Sequence, residues 1–175
     1  MRRQRNLLLA LALLVAAALP GAAEAQQGTL RGTWRFNAQA SDNIQTAINT
    51  AVARMNFVTR PIARGRLRNT NQPYQRIVAD FNQQQVTLTF DQRPAITTPA
   101  NGTPIKWTRE DNEVLDVSTE WENGVLEQTF KAEDGQRVNR YSVSGDGATM
   151  TMNVTITSPR LPQPLTYKLV YNRAS

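Results

Sequence analysis

The side chains able to do chemistry form a short roster. The 175-residue chain holds no histidine and no cysteine. That removes thiol nucleophiles, Ser–His–Asp relays and zinc sites built from imidazole or thiolate. Carboxylates remain. Asp116, Glu120, Glu122 and Glu127 crowd one stretch, and a pair of carboxylates across a sugar bond is the machinery of glycoside hydrolysis. The local pattern argues against that use. Leu115, Val117, Thr119 and Trp121 share one parity, so Asp116, Glu120 and Glu122 fall on the opposite, wet face of a strand. An exposed acid has no burial to tune its pKa. Glu110, Asp111 and Glu113 look like part of a calcium loop, but no glycine stands at the turn position and the spacing departs from the EF-hand. No phosphate loop or dinucleotide fingerprint is present. The expectation is a protein that is not an enzyme, with no cofactor and no metal site.

Cations are the other lead. Arg54, Arg60, Arg64, Arg66, Arg68 and Arg76 follow one another with no acid between Asp42 and Asp80. Residues 110–134 then hold nine acids against Lys131 alone. Read plainly, these are two solvated faces; read functionally, the first attracts anions. Phe57 and Tyr74 lie among the arginines, which suits single-stranded nucleic acid. The formal charge of +6 is modest, and the chain opens with an export leader, so nucleic acid is not the expected partner.

That leader is residues 1–25. Arg2, Arg3 and Arg5 precede the apolar run LLLALALLVAAAL (7–19), and AEA (23–25) offers a small-residue cleavage site. The run is short for a retained membrane anchor, the alternative reading. Cleavage leaves a chain from Gln26 with 17 basic and 13 acidic side chains. It is exported, periplasmic or secreted, and lacks the cysteine that a lipoprotein needs. Residues 26–175 form one domain large enough to bury a core without disulfides.

The elements that position these groups are mostly strands. Asn101-Gly102, Asp111-Asn112, Asn123-Gly124, Asp134-Gly135 and Asp146-Gly147 recur as tight-turn signals. Between them, EVLDVSTEW (113–121), ATMTMNVTIT (148–157) and PLTYKLVYNR (164–173) alternate with period two. YQRIVADF (74–81), QVTLTFD (85–91) and TPIKWTR (103–109) do the same. Residues 41–68 break the pattern. Ile44, Ala47, Ile48, Ala51, Val52 and Met55 have helical spacing, with Asp42 and Gln45 set as a capping box. A second short helix follows, capped by Thr59, with Pro61 in its first turn and Gly65 interrupting it. The expected order is a strand, one or two helices, then eight or nine strands. The fold class is mainly β: an up-and-down antiparallel meander closed into a barrel, since closure disposes of the free edges.

The ends of the chain carry a resemblance. Gly32-Thr33-Trp34 resembles the G-x-W that opens the first strand of lipocalins, where an arginine near the end of the last strand packs across the tryptophan. Arg173 stands at that place and shares parity with Tyr171, which points it to the interior. The inserted helices resemble those of fatty-acid-binding proteins, also of the calycin group. GTWRFN (32–37), the repeated DG hairpins and VYNR (170–173) together resemble small exported bacterial lipocalin-like proteins. Unlike many lipocalins, the chain has no disulfide. The resemblance implies a barrel holding a small apolar or amphipathic ligand, anionic or hydrophobic, under a helical lid. Trp107, Trp121, Phe130, Met150, Met152 and Tyr167 would line it, with Val86, Leu88 and Phe90 also inward. Ile48, Val52 and Met55 would seat the lid; Arg54, Arg60 and Arg64 would mark the portal; Trp34 and Arg173 would close the barrel. The alternative is a structural or interaction protein with a side-chain-filled barrel. Its Arg-rich face would then meet an acidic protein or anionic envelope lipid.

Overall fold

Alternating sequence becomes alternating burial. The computed structural model describes residues 29–174, so the leader at 1–25 lies outside the described residues. Ten strands appear: β1 Gly32–Phe36, β2 Arg76–Phe81, β3 Gln85–Phe90, β4 Ile96–Pro99, β5 Ile105–Thr108, β6 Val114–Glu122, β7 Val125–Ala132, β8 Gly135–Val143, β9 Thr149–Thr157 and β10 Leu165–Arg173. Helices α1 (Ile44–Ala51) and α2 (Thr59–Thr70) fall between β1 and β2. The Asn123-Gly124 and Asp146-Gly147 signals lie in hairpin turns, whereas Asn101-Gly102 joins the unpaired β4 and β5, and Gly135 already opens β8. At Asn123-Gly124 both residues have positive φ, 49° and 79°, which matches hairpin twist.

All ten strands belong to one antiparallel sheet, in the order β4-β3-β2-β1-β10-β9-β8-β7-β6-β5. First and last strands pair, with Trp34 opposite Arg173 and Phe36 opposite Tyr171. The sheet curls until β4 approaches β6. There Thr98 Oγ1 and Thr119 Oγ1 share a hydrogen bond, and Gly102 N donates to Thr119 O at 2.9 Å. β4 and β5 do not pair with each other, so the ring is nearly closed, with its seam at these two short strands.

β1 has five residues and β10 has nine, so β1 leaves much of β10's edge free. Residues 37–42 cover it. Asn37 N donates to Val170 O at 2.8 Å, and Asp42 N to Lys168 O at 2.8 Å. Lys168 N returns to Asp42 Oδ2 at 2.7 Å. Covering an edge in this way removes a template for unwanted pairing. It also corrects the capping box. Asp42 is committed to β10, and Asn43 caps α1 instead, its Oδ1 accepting from Thr46 N at 3.0 Å.

α1 buries Ile48 and Ala51, with Val52 buried just past its end. Met55 lies beyond the helix, in the turn. Asn56, not Thr59, starts α2: its Oδ1 accepts from Thr59 N at 2.9 Å and Val58 N at 3.1 Å. Thr59 is the first helical residue, and the helix runs through Gly65 to Thr70 rather than breaking there. Helical hydrogen bonding outweighs one glycine, whose cost is about 1 kcal/mol.

Candidate functional site

One end of the barrel is sealed. Trp34 is fully buried, and its Nε1 donates to Leu30 O at 2.9 Å. The Arg173 guanidinium lies 4.3 Å from the indole centroid. It donates to Gly147 O at 2.7 Å, to Arg31 O at 2.9 Å and to Thr29 O. Arg173 therefore spans the rim, exposed, instead of pointing into the interior as its parity suggested. β10 has reached the barrel's end by this residue, so "inward" has become "across". Gly32 has φ of +133°, and a Cβ there would sit 2.8 Å from Arg173 Nη1. The glycine of the opening motif makes room for the clamp.

Toward the other end the interior is layered. Trp121, Leu126, Tyr141, Met152 and Leu169 occupy one cross-strand level. The next holds Thr119, Gln128, Asn139, Val154 and Tyr167. Thr98, Thr119, Gln128 and Asn139 are each only 1 % exposed. A belt of buried polar groups this complete demands partners. Tyr141 Oη donates to Gln128 Oε1 at 3.1 Å and accepts from Asn139 Nδ2 at 3.2 Å.

Arg137 stands one level further on, between Phe130 and Ile156. Its Nε donates to Asn139 Oδ1 at 2.8 Å, and its Nη1 to Asn71 Oδ1 at 3.3 Å. Tyr167 Oη also donates to Asn71 Oδ1, at 2.8 Å. The ion pairs among the described residues all lie elsewhere, so amides are the partners of this guanidinium. Burial works against the Arg137 charge while Tyr167, Tyr74, Tyr141 and Tyr171 favour it, and its proton is held more tightly than in an ordinary arginine. Burial in turn pushes the phenols of Tyr141, Tyr167 and Tyr171 above the usual tyrosine value. At neutral pH the cluster is one cation among neutral hydroxyls and amides.

The raised phenols also set a stability limit. A group held protonated in the fold contributes fully below its unfolded value, and that contribution is lost as pH rises. Stability is therefore expected to hold up to about pH 10, the ordinary tyrosine value, and to fall above it. Urea midpoints taken between about pH 8 and about pH 11 check this, and a flat profile counts against buried phenols.

Of the expected lining residues, Met150, Met152 and Tyr167 belong to the buried core, and Trp107, Trp121 and Phe130 pack against it. Trp107 and Phe130 are half-buried and meet edge to face at 5.9 Å, as Trp121 and Phe81 do at 5.7 Å. Met150 and Met152 are fully enclosed, and Tyr167 is buried. Two open recesses, about 360 Å³ beside Lys131–Gln136 and about 590 Å³ beside Asp146–Thr149, lie at hairpin ends away from these residues. The portal arginines diverge. Arg54, Arg66 and Arg68 are exposed, and Arg60 Nε donates to Met55 O at 3.1 Å. Arg64 alone turns in, on the α2 face shared with Leu67 and Asn71. Its Nε is buried without a hydrogen-bond partner among the described residues.

The acids sit where parity put them. Lys106 pairs with Asp116 at 2.8 Å, and Arg140 with Glu127 at 2.6 Å and Glu122 at 2.9 Å. The acidic loop is neutralised from within: Arg109 pairs with Asp111 at 2.6 Å and with Glu113. That contact holds the Asp111 carboxyl down at about 2.

Arg137, Asn139, Gln128 and Asn71 were missed by sequence reasoning. Arg137, Asn139 and Tyr141 do share a parity on β8, but so do Val138, Arg140 and Ser142, and neither face reads as apolar.

No protein-family model matches the sequence, and no curated protein matches it. Solved structures do. A secretary abundant heat soluble (SAHS) protein from Ramazzottius varieornatus superposes with a TM-score of 0.58 at 11 % identity, covering 83 % of this chain and 96 % of that one. Fatty-acid-binding protein 1 of Echinococcus granulosus gives 0.52 at 14 %, covering 85 % and 99 %. Human cRBP IV gives 0.52 at 20 %, covering 83 % and 98 %. At such identities the likeness is one of fold: a nearly closed barrel of ten antiparallel strands with two helices after the first.

Proposed function

We propose that this chain is an exported barrel that binds a small amphipathic anion, its head group held at Arg137 and its apolar part against Phe130, Trp107 and neighbouring rings. The observation that carries the reading is Arg137 itself, a cation inside the barrel whose partners are amides. Placing a charge there costs free energy that a structural core has no reason to spend. Tyr167 Oη supplies a further donor at the same place. The fatty-acid-binding and cRBP likenesses support a barrel able to hold an apolar tail. Dodecanoate and dodecanol form the direct test. Saturating dodecanoate is expected to raise the melting temperature, and the alcohol to raise it less. At a hundredfold excess over Kd the gain is about 2.7 kcal/mol. No shift with either sinks the reading.

A second reading has its own observation. Phe57 is 85 % exposed, Ile62 70 % and Val58 59 %, and they account for three of the four exposed large apolar residues among those described. They cluster at the start of α2, with the exposed Arg54 before them and the exposed Arg66 one turn after Ile62. Apolar side chains flanked by cations suit an anionic lipid surface, where each basic group contributes about 1 kcal/mol. Binding to phosphatidylglycerol vesicles is expected, weakening with salt and with the double change Phe57→Ser and Ile62→Ser. Equal binding to phosphatidylcholine, or none to either, rejects it; capture of an acidic protein with vesicles ignored points to the other partner class.

A further inference from the structure

Asn71 has two jobs. It follows the last residue of α2, and its Nδ2 donates to Leu67 O at 2.8 Å, tying off the helix end. Its Oδ1 meanwhile takes one hydrogen from Tyr167 Oη at 2.8 Å and one from Arg137 Nη1 at 3.3 Å. The side chain is 3 % exposed, the most interior point of the helical insert beyond α1. Beside it, only the partly buried Leu67 of α2 packs against the core among the described hydrophobic residues. None of its residues is fully buried, and its N-terminal cap, Asn56, is itself exposed. Arg68 Nε reaches Gln45 Oε1 at 2.7 Å, which links it to α1 and not to the barrel wall.

One amide oxygen thus occupies the donors that would receive an anionic head group. We infer that Asn71 is a built-in stand-in for the ligand's carboxylate, and that an arriving anion displaces it and frees the C-terminal end of α2. The inference rests on the Arg137 site proposed above. A carboxylate hydrogen-bonds a guanidinium and a phenol about twice as strongly as a neutral amide does. The exchange therefore runs toward the ligand, and the helix end gives up its hold. Binding loosens this lid where a simple lid would tighten. The latch also keeps the half-buried cation satisfied in the empty protein, which an open mouth would not.

Dodecanoate titration of the unaltered chain, N71A, N71D and R137M tests it, together with amide hydrogen exchange over residues 59–70. Removing the competitor in N71A is expected to tighten binding about tenfold. In N71D a carboxylate is fixed beside Arg137, and binding is expected to weaken by about tenfold or more, with slower exchange across α2. In the unaltered chain, dodecanoate is expected to speed exchange over 59–70. The exchange result needs no substitution, so it stands even if N71A folds poorly. Binding by N71A that is equal or weaker, or exchange that is unchanged or slowed by dodecanoate, overturns the latch. If R137M has meanwhile lost binding, the site itself survives. R137M binding like the unaltered chain, or no binding by either the unaltered chain or N71A, removes both.

Discussion

Truncating Trp34 to alanine is expected to lower stability by about 3–5 kcal/mol, the range for removing a large aromatic from a packed core. Trp34 is fully buried, opposite Ile77 on β2 and Arg173 on β10. It is the seam between first and last strands. Losing it empties the sealed end and orphans Leu30 O, which now accepts from Nε1. Arg173→Ala is expected to cost about 2 kcal/mol, because a stacked cation contributes about 0.5–2 and its hydrogen bonds to carbonyls are partly replaced by water. The pair should couple: the double variant is expected to lose about 1 kcal/mol less than the sum of the single ones. Chemical denaturation gives all three values, with far-UV circular dichroism as the check that the strands remain. Strict additivity shows that the stack contributes nothing, and an unmoved R173A shows that the clamp is decorative.

Arg137→Met is expected to change two quantities in opposite directions. Dodecanoate affinity falls by about a hundredfold or more, as a charge-assisted pair of hydrogen bonds disappears. Stability of the empty protein stays level or rises, by up to about 2 kcal/mol, since methionine fills similar space without a desolvation cost. Asn71 Oδ1 keeps Tyr167 as a donor and Asn139 Nδ2 keeps Tyr141 as an acceptor; Asn139 Oδ1 loses its donor, which offsets part of the gain. The opposed signs are the diagnostic. A structural arginine would lower stability when removed and leave ligand affinity alone; that outcome rejects the site. Arg137→Lys separates charge from shape, since lysine keeps the cation but loses the fork that binds Asn139 and Asn71 together.

Both ends of the barrel show how far a sequence read alone carries. The Gly32-Thr33-Trp34 opening, the regular Asn-Gly and Asp-Gly turns and the period-two segments together specify antiparallel strands in a meander. Helical spacing from Ile44 to Val52 specifies the insert. These are local properties, decided by turn chemistry and by which side of a strand a residue occupies, so they are legible without neighbours. Clear segments such as Met150 to Ile156 even show which face is inside, because one face is apolar and the other is threonine and asparagine.

The interior at the Arg137 end was decided by tertiary structure. On β8, Arg137 and Asn139 lie on one face and Arg140 and Ser142 on the other, and nothing within the strand says which is buried. Pairing with Phe130 on β7 and Ile156 on β9 turns Arg137 inward. Asn71 reads as a polar residue after a helix until the chain folds back and sets it 2.8 Å from Tyr167, 96 residues away. Alternation within a strand fixes only relative facing; absolute facing, and every contact between distant segments, comes from the register between strands. So this sequence alone determined a barrel with a helical insert, and the folded ring determined that a cation and the Asn71 amide meet inside it.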